Sequence, residues 1–229
     1  MVAIFVLITF LIIIGINLTV TQLKNKRIEV FKEQSPDYKT GRTLSTKKHL
    51  LVPEGFFFSK GHTWLQIERD GTTKFGIDDF LNKITGNFVI ETLIGAGKRV
   101  KKGDKVFRIK FDGKKFNIPS PVNGTILKIN QKAIENPSLI SNSPYEEGWL
   151  YVIEPTNLKE DLGFLNIGKD VVRWMKNEVQ RFKDLIGTLS HQNSLIGATM
   201  YDGGSIQEGV VSFLDEESIQ VFEKEFLAL

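Results

Sequence analysis

The sequence predicts a mainly β body that follows one membrane-spanning helix and is itself followed by amphipathic helices. Three observations support this: an apolar run at the start, short apolar runs separated by turn residues in the middle, and helical spacing of apolar residues near the end. Many short strands at such intervals are typical of a compact barrel or sandwich. We therefore divide the 229-residue chain into segments 1–23, 24–50, 51–158 and 159–229.

The first segment is predicted to be a transmembrane anchor. Residues 2–20 carry no charge and are largely apolar, and about 20 such residues in a helix span a bilayer core of roughly 30 Å. The alternative is a cleaved signal peptide, which normally has a basic residue before the apolar run and a small-residue cleavage site after it. The sequence has neither feature, and this favours an uncleaved anchor.

The second segment, the linker 24–50, predicts how the anchor is oriented. Between Lys24 and His49 it holds eight Lys/Arg against three Asp/Glu. Positive charge is retained in the cytoplasm, so we expect a single-pass membrane protein whose body is cytoplasmic. The linker is either a solvated tether or a contact for anionic lipid headgroups.

The third segment, 51–158, alternates short apolar runs with turn residues. Asp70-Gly71 predicts a two-residue turn between two strands. Asp78 or Asp79 is expected to cap a short helix that Gly86 ends. Further strands are predicted in FVIETLI, VKKGDKVFRIKF, KKFNIP, GTILKIN and GWLYVIEP.

Four motifs in this segment resemble a known family when taken together and in order. They are KGHTWLQIE, TTKFGIDDFLNKITGNFVIETLIGAGKRVKKGD, SPVNGTILKIN and ENPSLISNSPYEEGWLYVIEP. Residues 56–155 thereby resemble the H protein of the glycine cleavage system, a member of the lipoyl/biotinyl carrier group. The resemblance implies a barrel-sandwich hybrid of strands. It also implies an exposed hairpin whose lipoyl-lysine carries an aminomethyl group among partner enzymes.

The segment KFDGKKFNIPSPVNG, residues 110–124, corresponds to that hairpin. Counted back from Pro121 without a gap, the lysine position of the family falls on Gly113 and its acidic position on Lys110. Asp112-Gly113 also suits a two-residue hairpin turn without any modified side chain. On this register Gly113 marks a lost lipoyl position, and no cofactor is expected.

The alternative register keeps the family chemistry. A slip of one residue would place Lys114 at the carrier position, with lipoate attached there, although it would move Phe116 and Ile118 to the other face of the sheet. Without lipoate, Lys110, Lys114 and Lys115 become candidate contacts for an acidic partner.

The last segment, 159–229, is predicted to be helical. Its helices either pack on the body or present an apolar face to a partner. A second helix is predicted in LDEESIQVFEKEFLAL, with Asp215 as its cap. The apolar residues of the first helix follow i, i+4, i+8, i+11, i+15 spacing: Val171, Met175, Val179, Phe182 and Ile186.

Composition excludes several classes of function. The chain has no cysteine, which rules out disulfides, thiolate metal sites and cysteine nucleophiles. Its net charge of +3 is too small to indicate nucleic-acid binding. The three histidines, His49, His62 and His191, lie far apart in the sequence, and His62 is expected at the surface as a hydrogen-bonded residue. We expect no metal site, no catalytic residue and no small-molecule substrate.

These observations predict a non-enzymatic, membrane-anchored interaction subunit with a degenerate H-protein fold. Its expected partners are the membrane and other protein subunits of a membrane complex. Two alternatives remain: a lipoylated carrier modified at Lys114, and a scaffold for lipoate transfer between other proteins.

Overall fold

The computed structural model describes residues 50–190 and 207–229, whose strands form two antiparallel sheets. The three-stranded sheet has the order β4 (Val89–Thr92), β6 (Lys105–Phe111) and β7 (Lys114–Pro119). The seven-stranded sheet has the order β10 (Asn166–Ile167), β1 (Phe57–Phe58), β2 (Thr63–Ile67), β3 (Thr73–Ile77), β9 (Tyr151–Pro155), β8 (Gly124–Ile129) and β5 (Arg99–Val100). The predicted mainly β body is confirmed.

Helices connect the strands and form most of the C-terminal part. A 3-10 helix, Val210–Phe213, precedes the last of them. The helices are α1 (Asp79–Thr85), α2 (Gln131–Glu135), α3 (Ser138–Asn142), α4 (Leu158–Leu162), α5 (Lys169–Ser190) and α6 (Glu216–Phe226).

The turn between β2 and β3 is longer than predicted. Glu68 and Thr72 close it through a backbone hydrogen bond of 2.8 Å, so three residues lie between them instead of two. Gly71 takes φ +84°, the left-handed conformation that a three-residue hairpin loop places at its last position. Asp70 accepts hydrogen bonds from the amide and the hydroxyl of Thr72, and these bonds fix the longer loop.

Asp78 is the N-cap of helix α1, so of the two predicted caps the structure has Asp78. The Asp78 side chain accepts a hydrogen bond from the Leu81 amide at 2.9 Å, as an N-cap residue does. Asp79 instead accepts the Leu51 amide at 2.8 Å, which ties the start of the described chain to the helix. Gly86 ends the helix with φ +71°, as predicted.

The hydrophobic core lies where the two sheets meet. Phe75 and Tyr151 of the larger sheet stack on each other at 5.4 Å, and Phe107 of the smaller sheet stacks on both. The Tyr151 hydroxyl donates a hydrogen bond to the Val106 carbonyl at 2.8 Å, so its polar end is satisfied inside the core. This packing gives the sandwich that the sequence predicts.

The C-terminal helices pack on this body. Phe182 of α5 contacts Phe80 of α1 at 5.6 Å between ring centroids and Phe222 of α6 at 6.0 Å. Phe222 in turn contacts Phe116 of β7 at 5.6 Å. The apolar helix faces that the sequence identified therefore cover the protein's own sheet and α1.

The predicted localisation, a single-pass membrane protein, is contradicted for the part of the chain that the structure describes. Across residues 50–190 and 207–229, the helices lack the combination of length and apolar character that spanning a bilayer requires. The anchor predicted at 1–23, and nearly all of the linker at 24–50, lie outside the described residues.

Candidate functional site

The hairpin of β6 and β7 contains the predicted site residues, and a two-residue turn forms its tip. Phe111 pairs with Lys114 across the hairpin, which leaves Asp112 and Gly113 as the turn. Their φ values are +46° and +75°, as a type I′ turn requires at both central positions. Aspartate and glycine tolerate this conformation better than other residues, so the predicted turn is confirmed.

Side chains alternate along β7 and separate the two adjacent lysines. Phe116 and Ile118 are buried, whereas Lys115 is exposed. Since alternate residues of a strand share a face, Lys114 lies on the same face as Phe116 and Ile118. Lys114 and Lys115 are therefore presented on opposite faces of the sheet.

The Lys114 amine is bound by the C-terminal part of the chain. Its Nζ donates a hydrogen bond to the carbonyl oxygen of Ser212 at 2.7 Å, and Ser212 lies in the 3-10 helix. The side chain is partly buried. Lys114 is thus the one candidate lysine of the hairpin whose amine the structure places against the C-terminal segment.

Lys110 and Lys115 lie together on the outer face, where they pair across the hairpin. The Lys110 Nζ is 3.1 Å from Glu91 Oε2, and Arg108 lies 3.0 Å from the same oxygen. The hydrogen bond from Lys110, with Arg108 assisting, lowers the pKa of the Glu91 carboxyl. The three candidate lysines are therefore near neighbours in the hairpin but do not form one contact surface.

Helix α6 lies beside β7 and encloses a polar crevice. Asn117 donates a hydrogen bond to Glu223 Oε1 at 3.0 Å, and Lys105 pairs with the same oxygen at 3.5 Å. The crevice has a volume of about 420 Å³ and extends to Gly113, Lys114 and Lys115 at the tip. It gives the Lys114 stem space on one side, while Ser212 holds its amine.

A buried ionic cluster at His62 was not anticipated from the sequence. His62 is fully buried, which corrects the expectation of a surface residue. Its Nδ1 lies 2.8 Å from Asp78 Oδ2, and its Nε2 lies 3.8 Å from Glu178 Oε2. The first distance is a hydrogen bond, whereas the second is an ion pair too long for one. The imidazole stacks on Phe80 at 4.5 Å and lies 5.2 Å from Trp174.

The two carboxylates hold His62 in its charged form at neutral pH. Burial lowers the pKa of His62, but the charge and hydrogen bond of Asp78, with a contribution from Glu178, outweigh burial and raise the pKa to about 9. Burial opposes ionisation of Glu178 as well, yet its interactions with His62 and Arg181 lower the pKa of its carboxyl. The cluster thereby connects the residue before β2, the N-cap of α1 and helix α5 through one buried cation.

Stability is expected to fall as pH rises through about 9. The pKa of His62 is raised above its ordinary value of 6.5, so the stabilisation from its charge is complete below that value and is lost as the imidazolium deprotonates. Urea unfolding at pH values from below 6.5 to above 9 measures this loss. A His62→Gln variant serves as the control, because it should show a flatter dependence over the same range. An equally steep dependence in that variant would assign the effect to other groups.

Other candidate groups do not assemble into a site. Among the described residues, no group of three His, Asp or Glu side chains is placed to hold a metal ion. His49 and His191 lie outside the described residues.

Comparison with known proteins identifies related chains. The family model described as "Glycine cleavage H-protein" matches residues 56–178. The probable glycine cleavage system H protein of Thermococcus kodakarensis is 35% identical over 111 residues, which cover 48% of this chain and 82% of that protein. Its counterpart in Pyrococcus furiosus is 32% identical over 125 residues, covering 55% and 92%.

A solved structure is also similar. A glycine cleavage system H protein from Mycobacterium marinum aligns with a TM-score of 0.43 and 26% identity, covering 46% of this chain and 87% of that one. The prediction that no cofactor is present is contradicted by the sequence relatives, because glycine cleavage H proteins carry lipoate.

Proposed function

The chain belongs to the glycine cleavage H-protein family, and on this premise we propose that it is a carrier protein that holds lipoate on Lys114. Members of this family are carrier subunits and are not themselves catalysts. The proposal adopts the alternative register of the sequence, in which Lys114 takes the carrier role instead of the lost position at Gly113. The main support for this proposal is the membership of the family, together with the position of Lys114 directly after the hairpin tip.

Position favours Lys114 over its neighbours as the attachment residue. Gly113 has no side chain to modify, and Lys110 is engaged by Glu91 at 3.1 Å. Lys115 lies one residue further from the tip, on the outer face with Lys110. The Lys114 amine is held by a hydrogen bond to Ser212, and breaking one such bond from a charged donor costs about 1.5–3 kcal/mol. That cost is small enough for the amine to become available.

The residues present fit an acylated lysine. Attachment requires the neutral amine of Lys114 to attack an activated acyl carbon, which forms an amide and releases the activating group. One N–H remains on the nitrogen after the reaction, so the amide can still donate to the Ser212 carbonyl. The polar crevice of about 420 Å³ beside Lys114 leaves room for the altered side chain. Lipoate, once bound, would supply a dithiolane whose sulfur atoms accept and release a carried group.

The proposed partners follow from the carrier role. Proteins of this family work with other glycine cleavage system proteins, and we take those as the partner class. The outer face of the hairpin, with Lys110 and Lys115, is the proposed contact for an acidic partner surface, since basic patches favour oppositely charged surfaces. We retain 51–158 as the carrier domain and 159–229 as its C-terminal extension, and we expect neither nucleic acid nor a free small-molecule substrate.

A Lys114→Arg substitution is expected to abolish lipoylation. Arginine keeps the positive charge and can donate to Ser212, but it offers no amine for acylation. The full chain is incubated with a lipoyl ligase, ATP and lipoate, and its intact mass is measured. Lys115→Arg is the matched control and should gain one lipoyl group, as the unmodified sequence should. A lipoyl group gained by the Lys114→Arg chain, or none gained by the unmodified sequence, would overturn the assignment.

A further inference from the structure

The Ser212 carbonyl that binds Lys114 is held in place from both sides. Upstream, the Gly209 amide donates a hydrogen bond to the Lys83 carbonyl of α1 at 2.9 Å. Downstream, Phe222 of α6 packs on Phe116 of β7 at 5.6 Å. The segment between these anchors contacts the hairpin at Lys114 through Ser212 and at Phe116 through Phe222.

The upstream anchor depends on a close approach between two glycines. Gly86 and Gly209 have φ values of +71° and +74°. A Cβ added to Gly86 would lie 2.8 Å from the Gly209 Cα, a distance that atoms reach only if the backbone moves. A side chain at Gly86 would therefore push the Gly209 backbone away from α1 and loosen the segment that carries Ser212.

The two hairpin lysines consequently differ in what surrounds their amines. Lys115 is exposed on the outer face. Lys114 is partly buried, and its Nζ donates to Ser212 at 2.7 Å. An acylating reagent needs the lone pair of the amine and a free path to it. The path is restricted while Nζ donates to a carbonyl that is fixed at each end.

We propose that the segment Gly209–Phe226 is an intramolecular cover that sets the reactivity of Lys114. With the cover in place, Lys114 reacts with acyl donors more slowly than Lys115, and loosening the cover at Gly86 removes the difference. The claim that the cover affects lipoylation of Lys114 rests on the proposed function. The claim that Lys114 and Lys115 differ in reactivity does not depend on it. Loss of one hydrogen bond from a charged donor corresponds to about a tenfold or larger change in rate.

The test is trace acetylation of the full chain with an acetyl N-hydroxysuccinimide ester. Fragment-ion mass spectrometry distinguishes Lys114 from Lys115 in the same peptide, and a urea-unfolded sample gives the intrinsic reactivity of each. In the folded protein, we expect Lys114 to be at least about tenfold less reactive than Lys115 after this normalisation. Equal reactivity would overturn the proposal, and this outcome needs no variant.

Two glycine variants then locate the cause. Gly86→Ala should raise the Lys114 to Lys115 ratio towards one. Gly71→Ala is the matched control, because Gly71 also has a positive φ, +84°, but an added Cβ there meets nothing within 4 Å. The control should leave the ratio unchanged. A folded Gly86→Ala protein with the original ratio would overturn the role of the cover. Since neither lipoate nor ligase is used, failure of lipoylation at Lys114 would leave these outcomes intact.

Discussion

Replacing His62 with alanine is expected to lower the free energy of unfolding by about 3–5 kcal/mol. The substitution leaves the buried carboxylate of Asp78 and the largely buried Glu178 without the imidazolium that lies between them. Removing one partner of a buried ion pair is costly because the remaining charge has lost its compensation. Alanine retains a Cβ, so the strain of φ +56° at this position remains and does not account for the change. Urea unfolding at neutral pH measures the loss.

Glu178→Gln is the companion variant for this prediction. It removes the longer, 3.8 Å interaction with His62 and the ion pair of Glu178 with Arg181, and it leaves the Asp78 hydrogen bond in place. We therefore expect it to destabilise the protein less than His62→Ala does. If the His62→Ala protein had the same free energy of unfolding as the unmodified sequence, the cluster would not stabilise the packing of α5 on the body.

Replacing Phe222 with alanine is expected to cost about 3–5 kcal/mol. Its side chain is fully buried and contacts three other rings, one from the carrier hairpin and two from the C-terminal helices. Loss of the ring leaves a cavity where α5, α6 and β7 meet, and surrounding side chains refill such a space only in part. The contacted rings are Phe116, Phe182 and Phe226.

Val221→Ala is the matched control in the same helix. Val221 precedes Phe222 but is 38% exposed, so its truncation should cost about 0.5 kcal/mol or less. Both values come from urea unfolding under the same conditions. Equal losses of unfolding free energy in the two variants would mean that α6 is not anchored through Phe222. The downstream anchor of the cover over Lys114 would then lack support.

Features determined by neighbouring residues were predictable from the sequence. The Asp112-Gly113 turn follows from the positive φ that both positions of a two-residue hairpin need, and the structure has both. The cap at the start of α1 follows in the same way from one side chain and an amide three residues on. The predicted length of the β2–β3 turn was one residue too short. The hydrogen bonds from Thr72 to Asp70 stabilise a three-residue loop, which the Asp-Gly sequence also permits.

Features created by distant parts of the chain were not predictable. His62 is buried because α5 brings Glu178 and Trp174 against it, and nothing in the local sequence around His62 indicates that contact. The Lys114 amine is bound by a residue 98 positions away in the sequence. The helical spacing of the last segment did indicate an apolar face, but not that this face would cover the hairpin.

The register of the carrier hairpin is where sequence and family relation disagree. Counting from Pro121 assigns the carrier position to Gly113, whereas membership of the family leads us to expect a lysine that carries lipoate. The hairpin has its tip at Asp112 and Gly113 and places Lys114 directly after it. The carrier lysine that we propose, displaced by one residue and bound to the Ser212 carbonyl, would reconcile the two.

The most direct test of this account is the mass of the full chain purified from cells that make lipoate and the glycine cleavage enzymes. Intact-mass measurement followed by peptide mapping should find one lipoyl group, located on Lys114 and absent from a Lys114→Arg chain. A chain recovered without any lipoyl group, or with one on another lysine, would contradict the account.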